Sequence, residues 1–251
     1  MTIQRTQRVL LTLGAAGPVI FIAVYLADGA AQSGYSSWHD TISALSLARH
    51  GWIQVASFML YGVLTLCFAE GLRSSGAIKG WGFALLVTAG LGLLVIGPFR
   101  TDPTLGFPAG ESTVVTPVGT VHTMTSLVVF LAFPAAALVT TQRPLRGWAA
   151  FSITSSVLSV LAVGVYFAIV SAAHGHPGGD SPAGFFERLP TFFIGLWQVA
   201  LVLRVLTGEQ FPAHSEQSGP RVRRRLRGVA GSMLRPASGR LDPALRGEEG
   251  P

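Results

Sequence analysis

The chain has 251 residues, 49% of them apolar and only 12% charged, about half the charged share of a soluble domain. A soluble all-α protein of this composition would have to bury helices that are apolar on every face, which argues against that class. The net charge of +6 suggests nucleic acid at first sight, but the basic residues fall in the pattern of a membrane topology signal, so no nucleic-acid partner is expected.

Six stretches are long and apolar enough to cross a bilayer: Val9–Ala27, Trp52–Ala69, Trp81–Phe99, Thr120–Thr140, Trp148–Ser171 and Pro190–Leu206. A crossing helix needs roughly 20 apolar residues for about 30 Å of hydrocarbon. Backbone groups in lipid must be paired within their own segment, so helices are expected. The predicted fold is all-α, a polytopic bundle of six transmembrane helices over residues 1–207. A basic, mostly disordered tail over 208–251 is poor in apolar residues.

The first span carries Gly14, Gly17 and Pro18, small residues and a kink that let helices approach closely. Its apolar run exceeds that of a signal peptide, so it is read as an uncleaved helix. Between the first two spans, Trp38, Ile42 and Leu45 fall on one helical face, with His39, Ser43, Ser46 and His50 on a neighbouring one. That spacing predicts a short amphipathic helix in the first outer loop. Cys67, the single cysteine, sits inside the second span and reads as an inert buried thiol. The third span ends in Gly97-Pro98-Phe99-Arg100-Thr101-Asp102-Pro103, and the fourth opens on Gly119-Thr120-Val121-His122. Ser152, Ser156 and Ser159 of the fifth span share a face and read as packing contacts. His174 and His176 of the third outer loop read as ordinary exposed histidines.

Arg5 and Arg8 precede span one, Arg73 and Lys79 follow span two, Arg143 and Arg146 follow span four, and Arg204 and eight further arginines close the chain. The three other loops hold only Arg49, Arg100 and Arg188. The positive-inside rule therefore places both termini in the cytoplasm. With the arginine-rich composition, it suggests a multi-pass protein of a bacterial plasma membrane. In the tail, Arg221, Arg223, Arg224, Arg225 and Arg227 are candidates to attract anionic lipids of the inner leaflet.

Ionisable residues beside the spans invite a functional reading. Asp28, His39, Asp40 and Arg100 are candidates for a polar ligand or lipid head-group site on the extracytoplasmic side. A catalytic arrangement would use His122 held by Asp102 to activate Ser43 or Ser46, because serine is a weak nucleophile without an adjacent base. A metal arrangement would use His39, Asp102 and His122 with an open position for water. In the third arrangement these groups pair with one another and fix the loops, Arg100 bridging to Asp28 or Asp102. A small-solute transporter is disfavoured, since no charge falls at the centre of a span. No cofactor is indicated. The leading expectation is a membrane protein with a polar or lipid head-group site; a hydrolase or transferase is the alternative.

Several short motifs occur in a fixed order: Gly-Pro at 17–18, Asp-Gly at 28–29, Gly-Tyr-Ser at 34–36, Ile-Ser-x-Leu-Ser at 42–46, Gly-Trp-Ile-Gln at 51–54 and Glu-Gly-Leu-Arg at 70–73. Together with Gly-Pro-Phe-Arg-Thr-Asp-Pro at 97–103 and Gly-x-x-His at 119–122, the order resembles the bacterial integral membrane proteins catalogued as domain of unknown function 998. The resemblance covers about residues 5–207. It implies a six-span architecture and carries over neither an activity nor a catalytic residue.

Overall fold

The computed structural model describes residues 3–112, 114–141, 146–173 and 180–208. They form six α-helices: α1 (Arg5–Ala31), α2 (Trp52–Ser74), α3 (Trp81–Ile96), α4 (Pro117–Val139), α5 (Arg146–Ala172) and α6 (Ala183–Thr207). A short 3₁₀ turn, η1 (Ser43–Leu47), lies between α1 and α2. All but α3 are long and apolar enough to cross a membrane, and α3 is a shorter apolar helix of 16 residues. The chain is a multi-pass helical membrane protein. Val19, Leu161 and Leu203 are each more than half exposed, which in a membrane means lipid contact rather than water. The predicted tail and its arginines, and His174 and His176, lie outside the described residues.

Each helix packs on its sequence neighbours, and α6 returns to α1 and closes the bundle. Small residues make the α1–α2 contact possible: a Cβ at Gly14 would lie 2.5 Å from the Cβ of Phe68, so only glycine permits this approach. Serines hold α5 in place. Ser156 Oγ lies within hydrogen-bond reach of the carbonyls of Pro134 (3.1 Å) and Ser152 (2.8 Å), and Trp197 Nε1 donates to Ser152 Oγ at 3.2 Å.

Two local expectations are corrected. The third helix ends at Ile96, three residues before the apolar run does. Pro98 has no N–H to continue the ladder, although Gly97 before it still has helical backbone angles. The amphipathic segment is also shorter than its spacing suggests, reduced to η1. Its backbone groups are used elsewhere. The carbonyls of His39 and Trp38 accept from Gly184 N and Phe185 N, both at 3.0 Å, so the loop caps the unsatisfied first turn of α6. Asp40 Oδ2 accepts from Ser36 N at 2.7 Å, and a helix through these residues would have to break all three bonds.

Candidate functional site

The early end of α3 shapes the surroundings of His122. A helix C-terminus leaves carbonyls without intrahelical partners. His122 Nδ1 lies 2.6 Å from the carbonyl of Phe99 and 3.2 Å from that of Ile96. A carbonyl only accepts, so Nδ1 carries a proton, and in the neutral ring Nε2 then presents its lone pair. Nε2 faces Ser43 Oγ at 3.0 Å. His122 is 2% exposed, and its ring packs edge-on to Phe58 with centroids 6.2 Å apart.

Ser43 opens η1, and a second acceptor approaches it from α6. Glu187 Oε1 lies 3.3 Å from Ser43 Oγ, while Oε2 accepts from the backbone N–H of Ile42. The Ser43 hydroxyl has one proton and two acceptors, so it bonds to one of them at a time unless Glu187 brings a proton of its own. Glu187 is 4% exposed, and no side-chain cation lies within ion-pair distance of it among the described residues. The sequence reading missed Glu187 because Pro190 was taken as the first residue of the last span. In the structure α6 begins at Ala183, with Pro190 in its interior. The signal was present: the positions Gln198, Ile194 and Pro190, all buried, step back to Glu187 at helical spacing.

Asp102 does not contact His122 through a hydrogen bond. It accepts from Thr116 N at 2.9 Å and from Thr116 Oγ1 at 2.6 Å, while Thr116 caps α4 by accepting from Gly119 N at 3.0 Å. A carboxylate beside the first turn also suits the positive end of the helix. Ser46 Oγ donates to the Ser43 carbonyl at 2.7 Å, so it braces η1 and does not face the histidine.

The remaining candidates are spread over the same end of the bundle. His39 Nε2 meets the Leu105 carbonyl at 2.9 Å, and Nδ1 accepts from Ser181 N at 3.2 Å with Ser181 Oγ at 3.0 Å. It ties three loops together. Asp40 is committed to Ser36. Arg100 is exposed and forms no ion pair with Asp28 or Asp102; the ion pair among the described residues is Arg73 with Glu70, at 2.8 Å. Arg188 is the cation that enters the loops, donating to the carbonyls of Asp40 (2.9 Å) and Gly184 (2.7 Å) and to Tyr35 Oη. Burial pushes the Tyr35 phenol well above its usual range, so it stays a donor to the Thr41 carbonyl at 2.9 Å. Asp28 accepts from Gln32 Nε2 at 3.2 Å. The metal set of His39, Asp102 and His122 is not brought together, and no group of three or more His, Cys, Asp or Glu side chains converges among the described residues.

Ser43 and Glu187 open onto a cavity of about 50 Å³, several times the ~10–15 Å³ that one water needs. The walls are otherwise mostly apolar, with Phe21, Phe58, Leu93, Val129, Phe133 and Ile194 among them. Ser126 also lines it, one turn beyond His122 on α4, and its buried hydroxyl has no hydrogen-bond partner. The arrangement is thus a serine against a histidine protonated on Nδ1, with a carboxyl group alongside, on the wall of a mostly apolar cavity.

No curated protein and no solved structure matches the chain. The family model described as Protein of unknown function (DUF998) matches residues 15–204. The motifs it spans are the ones that build this site: Ile-Ser-x-Leu-Ser forms η1, Gly-Pro-Phe-Arg-Thr-Asp-Pro ends α3 and supplies Asp102, and Gly-x-x-His supplies His122. The chain belongs to that family.

Proposed function

We propose that the protein is a membrane-embedded hydrolase or acyltransferase acting on a lipid-like ester, with Ser43 as nucleophile and His122 as general base. The observation that carries this reading is the 3.0 Å contact between Ser43 Oγ and His122 Nε2, with Nδ1 of the same ring anchored on Phe99. In the proposed reaction Ser43 Oγ attacks the substrate carbonyl carbon as its proton passes to Nε2. The imidazolium then returns that proton to the leaving alcohol as the ester bond breaks. Water or a second alcohol, deprotonated by the same nitrogen, attacks the acyl carbonyl, and Nε2 returns that proton to Ser43 Oγ as the bond between Oγ and the acyl group breaks. The Phe99 carbonyl takes the orienting role that a carboxylate has in a Ser-His-Asp triad, and Asp102 is assigned to positioning α4. The free hydroxyl of Ser126 is the candidate donor to the developing oxyanion. We place this site on the extracytoplasmic side, with both termini cytoplasmic, on the strength of the arginine distribution.

A second reading, a lipid head-group binding site without chemistry, has one specific observation behind it. Glu187 already occupies the Ile42 N–H, a donor next to Ser43 that an oxyanion would otherwise use. The two separate in one experiment. Purified protein in nanodiscs is treated with a fluorophosphonate probe and, in parallel, with vesicles of phospholipid carrying a fluorogenic ester. The enzyme reading expects probe incorporation at Ser43 and ester cleavage, both lost in Ser43→Ala and His122→Ala and retained in Ser33→Ala, an exposed position. A protein that binds the phospholipid but neither labels nor cleaves would leave the binding site and remove the enzyme.

A further inference from the structure

The seam between α1 and α2 holds a second buried polar group. Leu11, Gly14, Phe21, Tyr25 and Asp28 are buried along α1, and Gln54, Ser57, Tyr61, Phe68 and Gly71 along α2. Both series follow the spacing of helix pairs that stay in contact over their whole length. Contacts fix the antiparallel register. A Cβ at Gly71 would lie 3.1 Å from Leu11 Cγ, one at Gly14 2.5 Å from Phe68 Cβ, and the Phe21 and Tyr61 rings stack at 5.1 Å. Every step along α1 toward η1 is matched by an equal step back along α2. Continuing that register sets Tyr25 level with Ser57, and Asp28 level with Gln54.

These last two layers are polar and incomplete. Asp28 Oδ2, Ser57 Oγ and both the nitrogen and the oxygen of the Gln54 amide are buried without a hydrogen-bond partner. Gln54 is 0% exposed, Ser57 6% and Asp28 7%. Native interiors rarely leave one such group unsatisfied, and here four atoms in two adjacent layers are left so. Charge is also out of balance. Asp28, Asp40 and Glu187 are buried carboxyl groups at this end of the bundle, and Arg188, held to two carbonyls and Tyr35, is the part-buried cation near them. A carboxylate buried away from water needs a counter-charge.

We propose that Asp28, Gln54 and Ser57 bind one monovalent metal cation through the Asp28 carboxylate, the Gln54 amide oxygen and the Ser57 hydroxyl. Hard cations take oxygen ligands of these three kinds. A single positive charge neutralises the single carboxylate of the set, whereas a divalent ion would leave an excess. The Gln54 NH2 group then has the carboxylate as its acceptor. None of the three residues lines the Ser43 cavity, so the site stands or falls independently of the proposed reaction. By tying the ends of α1 and α2 together, the ion would set the base on which η1 rests.

The test uses the full chain in nanodiscs of zwitterionic lipid. Thermal unfolding is followed in sodium, potassium and choline chloride at equal ionic strength, and binding of radiolabelled sodium is titrated with potassium as competitor. The expected result is saturable binding of one ion per chain and a higher Tm in at least one metal salt than in choline. Asp28→Asn, an isostere, and Gln54→Leu, an apolar side chain of similar size, should each weaken binding by at least about tenfold, the order seen when a metal site loses a supporting group, and abolish the salt difference. The wild-type titration needs no variant to fold. Equal Tm in all three salts without saturable binding would overturn the proposal. So would a Gln54→Leu protein that gains stability in choline yet binds the ion as before. A Tm that ignores the metal but follows pH would mean that Asp28 takes a proton instead, and would also overturn it.

Discussion

Asp102 is coupled to His122 through the first turn of α4. Its carboxylate holds Thr116, Thr116 caps the helix, and His122 lies six residues further on. The fit is tight enough that a Cβ at Gly119 would lie 2.0 Å from Asp102 Oδ2. Asp102→Ala is therefore expected to lower stability by about 1–2 kcal/mol, the cost of losing a helix cap, and to slow probe labelling of Ser43. Asp102→Asn, whose amide oxygen can still accept from Thr116, should recover most of the stability. Gly119→Ala should resemble Asp102→Ala. Urea or thermal titration beside labelling rates measures both quantities; a labelling rate unchanged in Asp102→Ala would sever the two residues.

Glu187 accepts the Ile42 N–H and meets the Ser43 hydroxyl. Glu187→Ala leaves that N–H buried and unpaired, at a cost of about 1–3 kcal/mol. Glu187→Gln keeps an acceptor for it and should fold with nearly the wild-type Tm. If Glu187 influences only the fold, Glu187→Gln will label at Ser43 as the wild type does; a changed rate at unchanged Tm places the carboxyl in the reaction.

His39 joins the loop before α2, the loop after α3 and the entry to α6. His39→Ala should release the two distant loops together. Hydrogen exchange at Phe107 and Ser181 is expected to accelerate in parallel, with little change in the centres of α2 and α4. Acceleration at one loop alone would refute the role of a shared clasp.

Orientation is accessible to labelling. In a Cys67→Ala background, Glu111→Cys should react with a membrane-impermeant maleimide in intact cells, and Lys79→Cys only after lysis. Both positions are exposed. The reverse pattern would invert the topology and move the Ser43 site to the cytoplasmic face.

The helices were legible because lipid imposes a simple rule, an apolar run of sufficient length, and five of the six runs obey it in full. The 3₁₀ turn was not, since the spacing of Trp38, Ile42 and Leu45 fits a helix equally well. What decides against it is a partner distant in sequence, the first turn of α6 taking the carbonyls of Trp38 and His39. His122 and Ser43 were identified by their chemistry. Their pairing, 79 residues apart, follows from how η1 folds under α6 and leaves no local trace. Asp102 was identified but given the wrong neighbour, because a carboxylate near a histidine in sequence invites the triad pattern even when a helix end competes for it. Glu187 was lost to a boundary error at Pro190.

The short third helix has a consequence for the bilayer itself. Sixteen residues rise about 24 Å, against about 30 Å of hydrocarbon. Trp81, 79% exposed, suits anchoring one end at an interface, so the shortfall of about 6 Å collects at the Gly97-Pro98 end, where the carbonyls of Ile96 and Phe99 meet His122. Thinning of the lipid beside α3 is one way in which a bilayer takes up such a shortfall. On the proposed placement of the site, such thinning would bring the membrane surface down next to Ser43, and with it the ester linkages of neighbouring lipids, which lie just below their head groups.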